Sequence, residues 1–400
     1  MRSRAPLSGI RVLELGSFIA GPYCGQLLAD YGAEVIKVEP PREGDAMRRW
    51  GVALYQGRSL WWPVIARGKK SVTVDLRRPE GQELVRRLAD RCDVLVENFR
   101  PGTLEGWGLG PDVLLERNPA LVYVRISAFG QTGPYRDRPG FGAVAEAMGG
   151  LRYLVGYPDR PPPRFGISIG DTLAGMFGAL GALLALRERE VRAGRGQVVD
   201  VAITDAVLAV LESVIAECSV TGAVRERSGT VLPGVAPSNL YETADGRWVV
   251  VAANADGVFR RLCDAMGRPE WKTDPRYATH EARGAHQAEL DQAIAQWVRS
   301  LPAEELLGVL DRHGVPCGPV YNAAEVLTDP HYRARGSLVE VDNPGVGRVT
   351  MQGPVPRLAG TPLSVPGPAP ELGEHTDQVL QDLLGLSAEE VARLREAGVV

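Results

Sequence analysis

The stretch Ile10-Arg11-Val12-Leu13-Glu14-Leu15-Gly16 reads as a buried strand stopped by a glycine, and the residues after it decide the fold class. A turn of small residues leads into a helix from about Pro22 to Tyr31, with proline at a first-turn position. Ala33-Glu34-Val35-Ile36-Lys37-Val38-Glu39 is then a second strand, closed by Pro40-Pro41. Strand, short helix and strand at this spacing make a βαβ unit, which belongs to a parallel sheet. The pattern recurs with a strand from Ser71 to Leu76, an amphipathic helix from Pro79 to Arg91 and strands over Cys92 to Glu97 and Leu121 to Ser127. A short helical region opens at Leu104. The fold class is therefore α/β, a doubly wound domain with a parallel sheet.

Sheets of this kind bind ligands at the carboxyl ends of their strands. Those ends fall at Gly16–Gly21, Glu39–Arg42, Asn98–Gly102 and Ala128–Gly133. The first carries Gly16-Ser17-Phe18-Ile19-Ala20-Gly21 rather than G-x-G-x-x-G, and Pro22 stands where a P-loop needs lysine. Neither a nicotinamide dinucleotide nor a Walker-type site is indicated.

Farther along, Phe165-Gly166-Ile167-Ser168-Ile169-Gly170-Asp171-Thr172-Leu173-Ala174-Gly175 opens a helix that runs from Asp171 to about Arg189. Small residues at helical spacing, Ala174, Gly175, Gly178 and Gly181, let another surface approach it closely. Asp171 reads locally as a helix cap that accepts backbone N–H bonds, or as a carboxylate held ready on a bare turn. Gln197 to Val201 is a strand, and Asp205 to about Ser219 reads as one long helix. Beyond residue 220 the character changes. Tyr241 to Ala253 reads as a hairpin around Asp245-Gly246, with helices near 255–267, 286–300 and 303–313, hence a smaller α+β domain. From about 330 to Pro370 the chain is rich in Pro and Gly and reads as extended chain lying over another surface, with strand-like pieces such as Gly347-Arg348-Val349-Thr350-Met351; a helix from Ser387 to Ala397 ends it. The division expected is 1–220, 221–328 and 329–400.

The 400 residues carry a formal charge of −4, with 44% hydrophobic and 24% charged residues, and show no polybasic stripe. Nucleic acid is excluded as a main partner. The longest apolar helical run, Leu173 to Leu186, is 14 residues and too short for a bilayer, and the start has no signal-peptide pattern, so no membrane role is expected. The cysteines (Cys24, Cys92, Cys218, Cys263, Cys317) are odd in number and lack a C-x-x-C pair, which points to a reducing, cytoplasmic location. No metal site is expected: the five histidines all follow residue 279 and show no metal-type spacing. Cys24, near a helix start, reads as a small packing residue. Glu97-Asn98-Phe99-Arg100-Pro101-Gly102 offers an amide, an aromatic face and a guanidinium at a strand end, or else a plain turn before proline.

Seven segments in order resemble the family III CoA-transferases, the family of formyl-CoA and carnitine CoA-transferases. They are Leu7–Leu15, Gly32–Glu39, Lys69–Leu76, Val96–Gly102, Ser127–Tyr135, Gly170-Asp171 and Gly194–Val201. The resemblance implies a large Rossmann-like domain, a smaller domain and a C-terminal segment returning to the large one, assembled as an interlocked homodimer. It implies an acyl-CoA:carboxylate CoA-transferase with no tightly bound cofactor, whose substrates are a coenzyme A thioester and a carboxylic acid. Asp171 would be the covalent nucleophile, passing through a mixed anhydride and an aspartyl-CoA thioester. Coenzyme A contacts carry over to Ile19, Ala20, Val74, Asp75, Leu76, Arg77, Asn98, Phe99, Arg100 and Phe141. The chain departs from the family pattern at Pro40, where an arginine is common and Arg42 can substitute, and at Gly142, where an acid is common. It also has Ile19 in place of the glutamine of formyl-CoA transferase, and Ser228–Gly234 in place of that enzyme's glycine-rich flap. Arg48, Arg49, Arg67 and Arg138 can pair with a second carboxylate, which would suit a dicarboxylate such as succinate as donor or acceptor acid, or equally hold coenzyme A phosphates or face solvent. A 2-methylacyl-CoA racemase shares the aspartate but needs a histidine base where Phe141 stands. A non-catalytic CoA-binding protein would have no need of Asp171.

Overall fold

A computed structural model describes residues 5–191, 194–363 and 367–400. Six strands form one sheet: β1 (Arg11–Glu14), β2 (Glu34–Glu39), β3 (Lys70–Thr73), β4 (Val94–Glu97), β5 (Val122–Ser127) and β6 (Val198–Ala202). Every neighbouring pair is parallel and the order is β3-β2-β1-β4-β5-β6. In a doubly wound sheet this order reverses direction between β1 and β4, where a crevice opens beyond the strand ends. Central strands are apolar on both faces because helices cover both sides. Leu13, Ile36 and Leu95 enter one core; Val12, Val35 and Val94 enter the other.

Helix α1 (Ala20–Asp30) and helix α2 (Pro79–Ala89) connect the first strands, and a short α3 (Gly142–Met148) precedes the long α4 (Ile169–Val191). The small stripe of α4 is used as its spacing implies. A side chain at Gly178 would meet Ile126 at 2.9 Å and the Cys24 sulfur at 3.3 Å, so only glycine lets α4 lie on α1 and β5. Cys24 is fully buried in that contact, and burial pushes its thiol well above the ordinary range, so it packs and does not react.

Four expectations are corrected. Helix α4 starts two residues before Asp171, because the Ser168 carbonyl already accepts the Thr172 N–H at 3.0 Å; Asp171 lies inside the first turn. With 23 residues and a mean hydropathy of 1.6 over its most apolar window, α4 is long and apolar enough to cross a membrane, unlike the shorter run read from sequence. The long helix expected over 205–219 is two, Ile203–Leu208 and Val214–Thr221, separated by a stretch in which Glu212 adopts a φ of +52°. A helix that the sequence reading missed, Thr376–Leu384, follows the Pro/Gly-rich region, within which the strand-like piece 347–351 forms an antiparallel hairpin of Leu338–Asn343 with Gly347–Gln352.

The chain separates into two compact units. One comprises residues 1–152, 165–215 and 331–400 and holds the six-stranded sheet; the other comprises residues 153–164 and 216–330. The second unit has a three-stranded antiparallel sheet of Ser238–Glu242, Trp248–Ala252 and Cys317–Pro319. Leu290, Ile294 and Val298, spaced four apart on one helix, join Phe259, Leu306 and Leu310 in its core.

In the first unit the C-terminal residues bind the edge strand β3. The Ser71 N–H donates to His375 Nδ1 at 3.3 Å, the His375 N–H donates to the Ser71 carbonyl at 2.9 Å, and the Thr73 N–H donates to Thr376 Oγ1 at 3.0 Å. Burial pulls the His375 imidazole below its ordinary range, and Glu374 only partly offsets this. A histidine depressed in the fold leaves stability intact above its unfolded value of about 6.5 and loses it as pH falls through that value toward the folded one. The urea midpoint should therefore drop between pH 7.5 and 5. His375→Asn, whose amide oxygen replaces Nδ1 as acceptor, should flatten that drop; an unchanged pH slope would refute the assignment.

Candidate active site

The mouth of the sheet is organised by buried charge. Glu14, at the end of β1, holds Lys37 of β2 at 2.9 Å with one oxygen and Lys69 at 2.7 Å with the other. Lys37 also pairs with Asp45 at 2.8 Å and donates to the Gly16 carbonyl at 2.9 Å; Lys69 donates to the Pro22 carbonyl at 2.6 Å. Glu39, ending β2, takes Arg48 with both oxygens at 2.7 Å. Burial works against the Lys37 charge, but Asp45, Glu14 and Glu39 outweigh it and hold the ammonium above its usual range. Burial pulls Lys69 down, with Glu14 opposing. Burial also opposes ionisation of Glu39 and Asp45, yet Arg48 at the first and Lys37 at the second keep both carboxyls low. These bonds tie down the loops after β1 and β2. Phe18 in the first loop adopts a φ of +63°, anchored by its N–H to Asp45 at 3.2 Å.

The crevice between β1 and β4 is bridged by Asn98. Its Oδ1 accepts the Ser17 N–H at 2.8 Å and its amide donates to the Ser17 carbonyl at 2.9 Å. A side chain at Gly16 would stand 2.5 Å from that oxygen, so the glycine is needed for the bridge. One donor and one acceptor position of Asn98 are thereby committed to the fold.

Around this bridge, Leu15, Ser17, Glu39, Pro40, Val74, Asp75, Leu76, Arg77, Phe99 and Trp107 line a cleft of about 210 Å³. The structure thus gathers Val74 to Arg77, after β3, and Phe99, after β4, beside the ends of β1 and β2. The Phe99 ring meets Trp107 edge-on at 5.5 Å, and the Arg77 hydrogen bond holds the Asp75 carboxyl below its ordinary range. Trp107 was not singled out by sequence, since nothing local marks a residue in a short turn as cleft wall. Ile19, Ala20, Arg100 and Phe141 are not among the residues that line this cleft. Ala20 and the Val74 side chain are buried, so they can meet a ligand only through backbone. Ile19 packs against the buried Met47–Trp62 cluster. Arg100 is exposed and donates to the Asp137 carbonyl at 3.1 Å. Phe141 is 76% exposed at the start of α3.

Two of the arginines considered for a second carboxylate are engaged within the fold. Arg48 is bound by Glu39 and stacks 3.8 Å over the Trp62 ring; Arg67 is buried against Asp30 at 2.6 Å. Arg49 donates to the Glu43 carbonyl at 2.8 Å, and Arg138 stacks 3.8 Å from the Tyr135 ring.

Asp171 is half-buried in the first turn of α4, where the positive end of a helix favours a carboxylate. It lies over Gly142: a Cβ there would fall 2.1 Å from Asp171 Oδ2. No acidic side chain, nor any other, fits at position 142 without moving that carboxylate. One helical turn beyond Asp171, Gly175 packs on the Ala20 carbonyl, where an added Cβ would stand at 2.8 Å. Asp171 is thus on the side of the sheet where α1 begins, near the loop that Asn98 holds. Among the described residues, no group of His, Cys, Asp and Glu is placed to hold a metal ion.

Known proteins resemble this chain along its whole length. The sequence model of CoA-transferase family III matches residues 7–376. The chain is 58% identical over 399 residues to the succinyl-CoA–D-citramalate CoA-transferase of Chloroflexus aurantiacus, covering 100% of this chain and 99% of that one. It is 32% identical to the human succinyl-CoA:glutarate CoA-transferase, covering 100% and 91%. The crystal structure of a CAIB/BAIF family protein from Brucella suis superposes with a TM-score of 0.84 at 36% identity, covering 95% of this chain and 100% of that one.

Asn98→Ala removes both bonds to the Ser17 peptide and leaves its N–H and carbonyl unpaired in a half-buried crevice. The expected loss is about 2 kcal/mol of unfolding free energy, read from urea denaturation. A change below about 0.5 kcal/mol, the range of neutral surface substitutions, would show that the bridge does not hold the loop.

Proposed function

The chain belongs to CoA-transferase family III and moves CoA between an acyl-CoA and a carboxylic acid, and we propose that it does so by covalent catalysis on Asp171. The Asp171 carboxylate attacks the thioester carbonyl of the donor and expels CoA thiolate, forming a mixed anhydride. The thiolate attacks the aspartyl carbonyl, releasing the donor acid and leaving an aspartyl-CoA thioester. The acceptor carboxylate attacks that thioester, re-forming an anhydride and thiolate. The thiolate then takes the acceptor acyl group, and Asp171 is regenerated. A carboxylate suits this cycle because it is ionised near neutral pH and makes activated acyl derivatives. The observation that carries the reading is the packing of the Asp171 carboxylate against Gly142, where an added Cβ would fall 2.1 Å from Oδ2, in the first turn of α4.

The cleft beside Val74 to Arg77 and Phe99 supports binding of part of coenzyme A, with Asn98 holding Ser17 at its edge; we assign further coenzyme A contacts to Ile19, Ala20, Arg100 and Phe141. The donor we favour is succinyl-CoA and the acceptor a short dicarboxylate, since relatives along the whole chain are named for succinyl-CoA with citramalate, malate or glutarate. Arg48 and Arg67 do not read the second carboxylate in this scheme, being held by Glu39 and Asp30. Five unpaired cysteines fit a reducing cytoplasm.

Transfer from succinyl-CoA to citramalate or malate should be measurable by acid-dependent exchange of CoA. Hydroxylamine should trap Asp171, and Asp171→Ala should reduce both signals to background. An alanine variant that still transfers CoA would sink the covalent reading. Phe141 has no titratable group, so deuterium at the α-carbon of a 2-methylacyl-CoA should be retained; its loss would favour a racemase.

We also propose an interlocked homodimer. Met176, Leu180, Leu183 and Leu184 leave an apolar stripe exposed on α4 that a second copy would cover. Sedimentation equilibrium should give about twice the 43.1 kDa chain mass; a monomer at micromolar concentration would contradict this.

A further inference from the structure

Glu146 is buried beside the Asp171 turn, and the transfer cycle makes no use of it. It stands one helical turn after Gly142 on α3, so the two positions share a face of that helix. Gly142 meets the Asp171 carboxylate, while Glu146 meets the backbone just before it. Glu146 Oε1 accepts the Gly170 N–H at 3.3 Å, and a Cβ at Gly170 would stand 3.0 Å from Glu146 Cγ. The side chain of Glu146 is 1% exposed. Its other oxygen, Oε2, has no hydrogen bond; its nearest cation is Arg152 at 3.5 Å, whose Nε is likewise without a partner.

Such an arrangement is expensive for a fold. A buried carboxylate with one hydrogen bond and a long ion pair is less favourable than an apolar side chain of the same volume would be. Groups of that kind persist where they position something.

We propose that Glu146 is the positioning residue of the nucleophile, clamping the Gly170 peptide so that the first turn of α4 presents the Asp171 carboxylate over Gly142. Helix α3 then grips Asp171 from two sides, by shape at the carboxylate and by a hydrogen bond at the backbone. Arg152 balances the buried charge from the far side. The inference rests on Asp171 being the nucleophile.

Two substitutions separate the clamp from mere packing. Glu146→Gln keeps a carbonyl oxygen at the same reach, whereas Glu146→Asp is one methylene too short to meet Gly170. With succinyl-CoA as donor, Glu146→Asp and Glu146→Ala should lower kcat by about 10- to 100-fold, the scale of a misplaced reacting group. The donor KM should stay within about twofold, because ground-state binding is untouched. Glu146→Gln should restore kcat to within about threefold of the unsubstituted enzyme, and the rate of hydroxylamine trapping at Asp171 should follow kcat across the series. Melting curves confirm that each variant is folded, and the aspartate variant decides the matter if alanine is not. Equal losses in the glutamine and aspartate variants, an aspartate variant with full kcat, or a raised KM at constant kcat would each overturn the clamp. Should Asp171→Ala retain transfer, the nucleophile reading fails whatever Glu146 does. An inactive Asp171→Ala beside a fully active Glu146→Asp removes the clamp alone.

Discussion

Glu14 holding Lys37 with one oxygen and Lys69 with the other is the interaction on which the mouth of this enzyme depends. With Asp45, Glu39 and Arg48 it makes a buried set of three cations and three carboxylates. Taking such charges out of water costs several kcal/mol per ion, so the set is tolerable only when every member is matched. The lysines match more than carboxylates. Each also binds a backbone carbonyl, that of Gly16 in the β1–α1 connection for Lys37 and that of Pro22 in the first turn of α1 for Lys69. Charge balance and loop shape are therefore a single requirement. Gly25 completes it, since a Cβ there would fall 1.9 Å from Glu14 Oε2.

Close approach places the chemistry on that frame. Helix α4 carries Asp171 and reaches the sheet only because its inner face is Ala and Gly; larger residues would push it off α1 and β5. The same device acts at α3, where Gly142 makes room for the Asp171 carboxylate. A missing side chain at one position is what orients a present one at another. The departure of Gly142 from the acidic residue common in the family is thus a steric statement, with the nearest carboxylate of α3 one turn along and fully buried.

The βαβ strands were legible because their signal is local: a run such as Val35-Ile36-Lys37-Val38 closed by two prolines has few other solutions. The small stripe of α4 was legible for the same reason. The break near Glu212 was not, because Val207 to Ala216 is mostly apolar and suits one helix as well as two. The helix Thr376–Leu384 was hidden by the Pro- and Gly-rich chain before it; its buried Val379 and Leu380 acquire meaning only against the core that β3 and α2 provide.

The residue types of the site were set by the sequence itself: an aspartate at the head of a glycine-rich helix, an Asn-Phe-Arg strand end, and no histidine where a racemase needs one. Tertiary structure decided how each is used. Arg48 and Arg67 looked available for substrate until Glu39 and Asp30, nine and 37 residues away, were seen to hold them. Asn98 looked like a ligand amide until Ser17, 81 residues away, claimed both ends of it. Glu146 drew no notice until the fold set it under Gly170. A hydrogen bond or ion pair is worth forming only between groups brought within about 3 Å, and no local pattern reports which distant groups those will be.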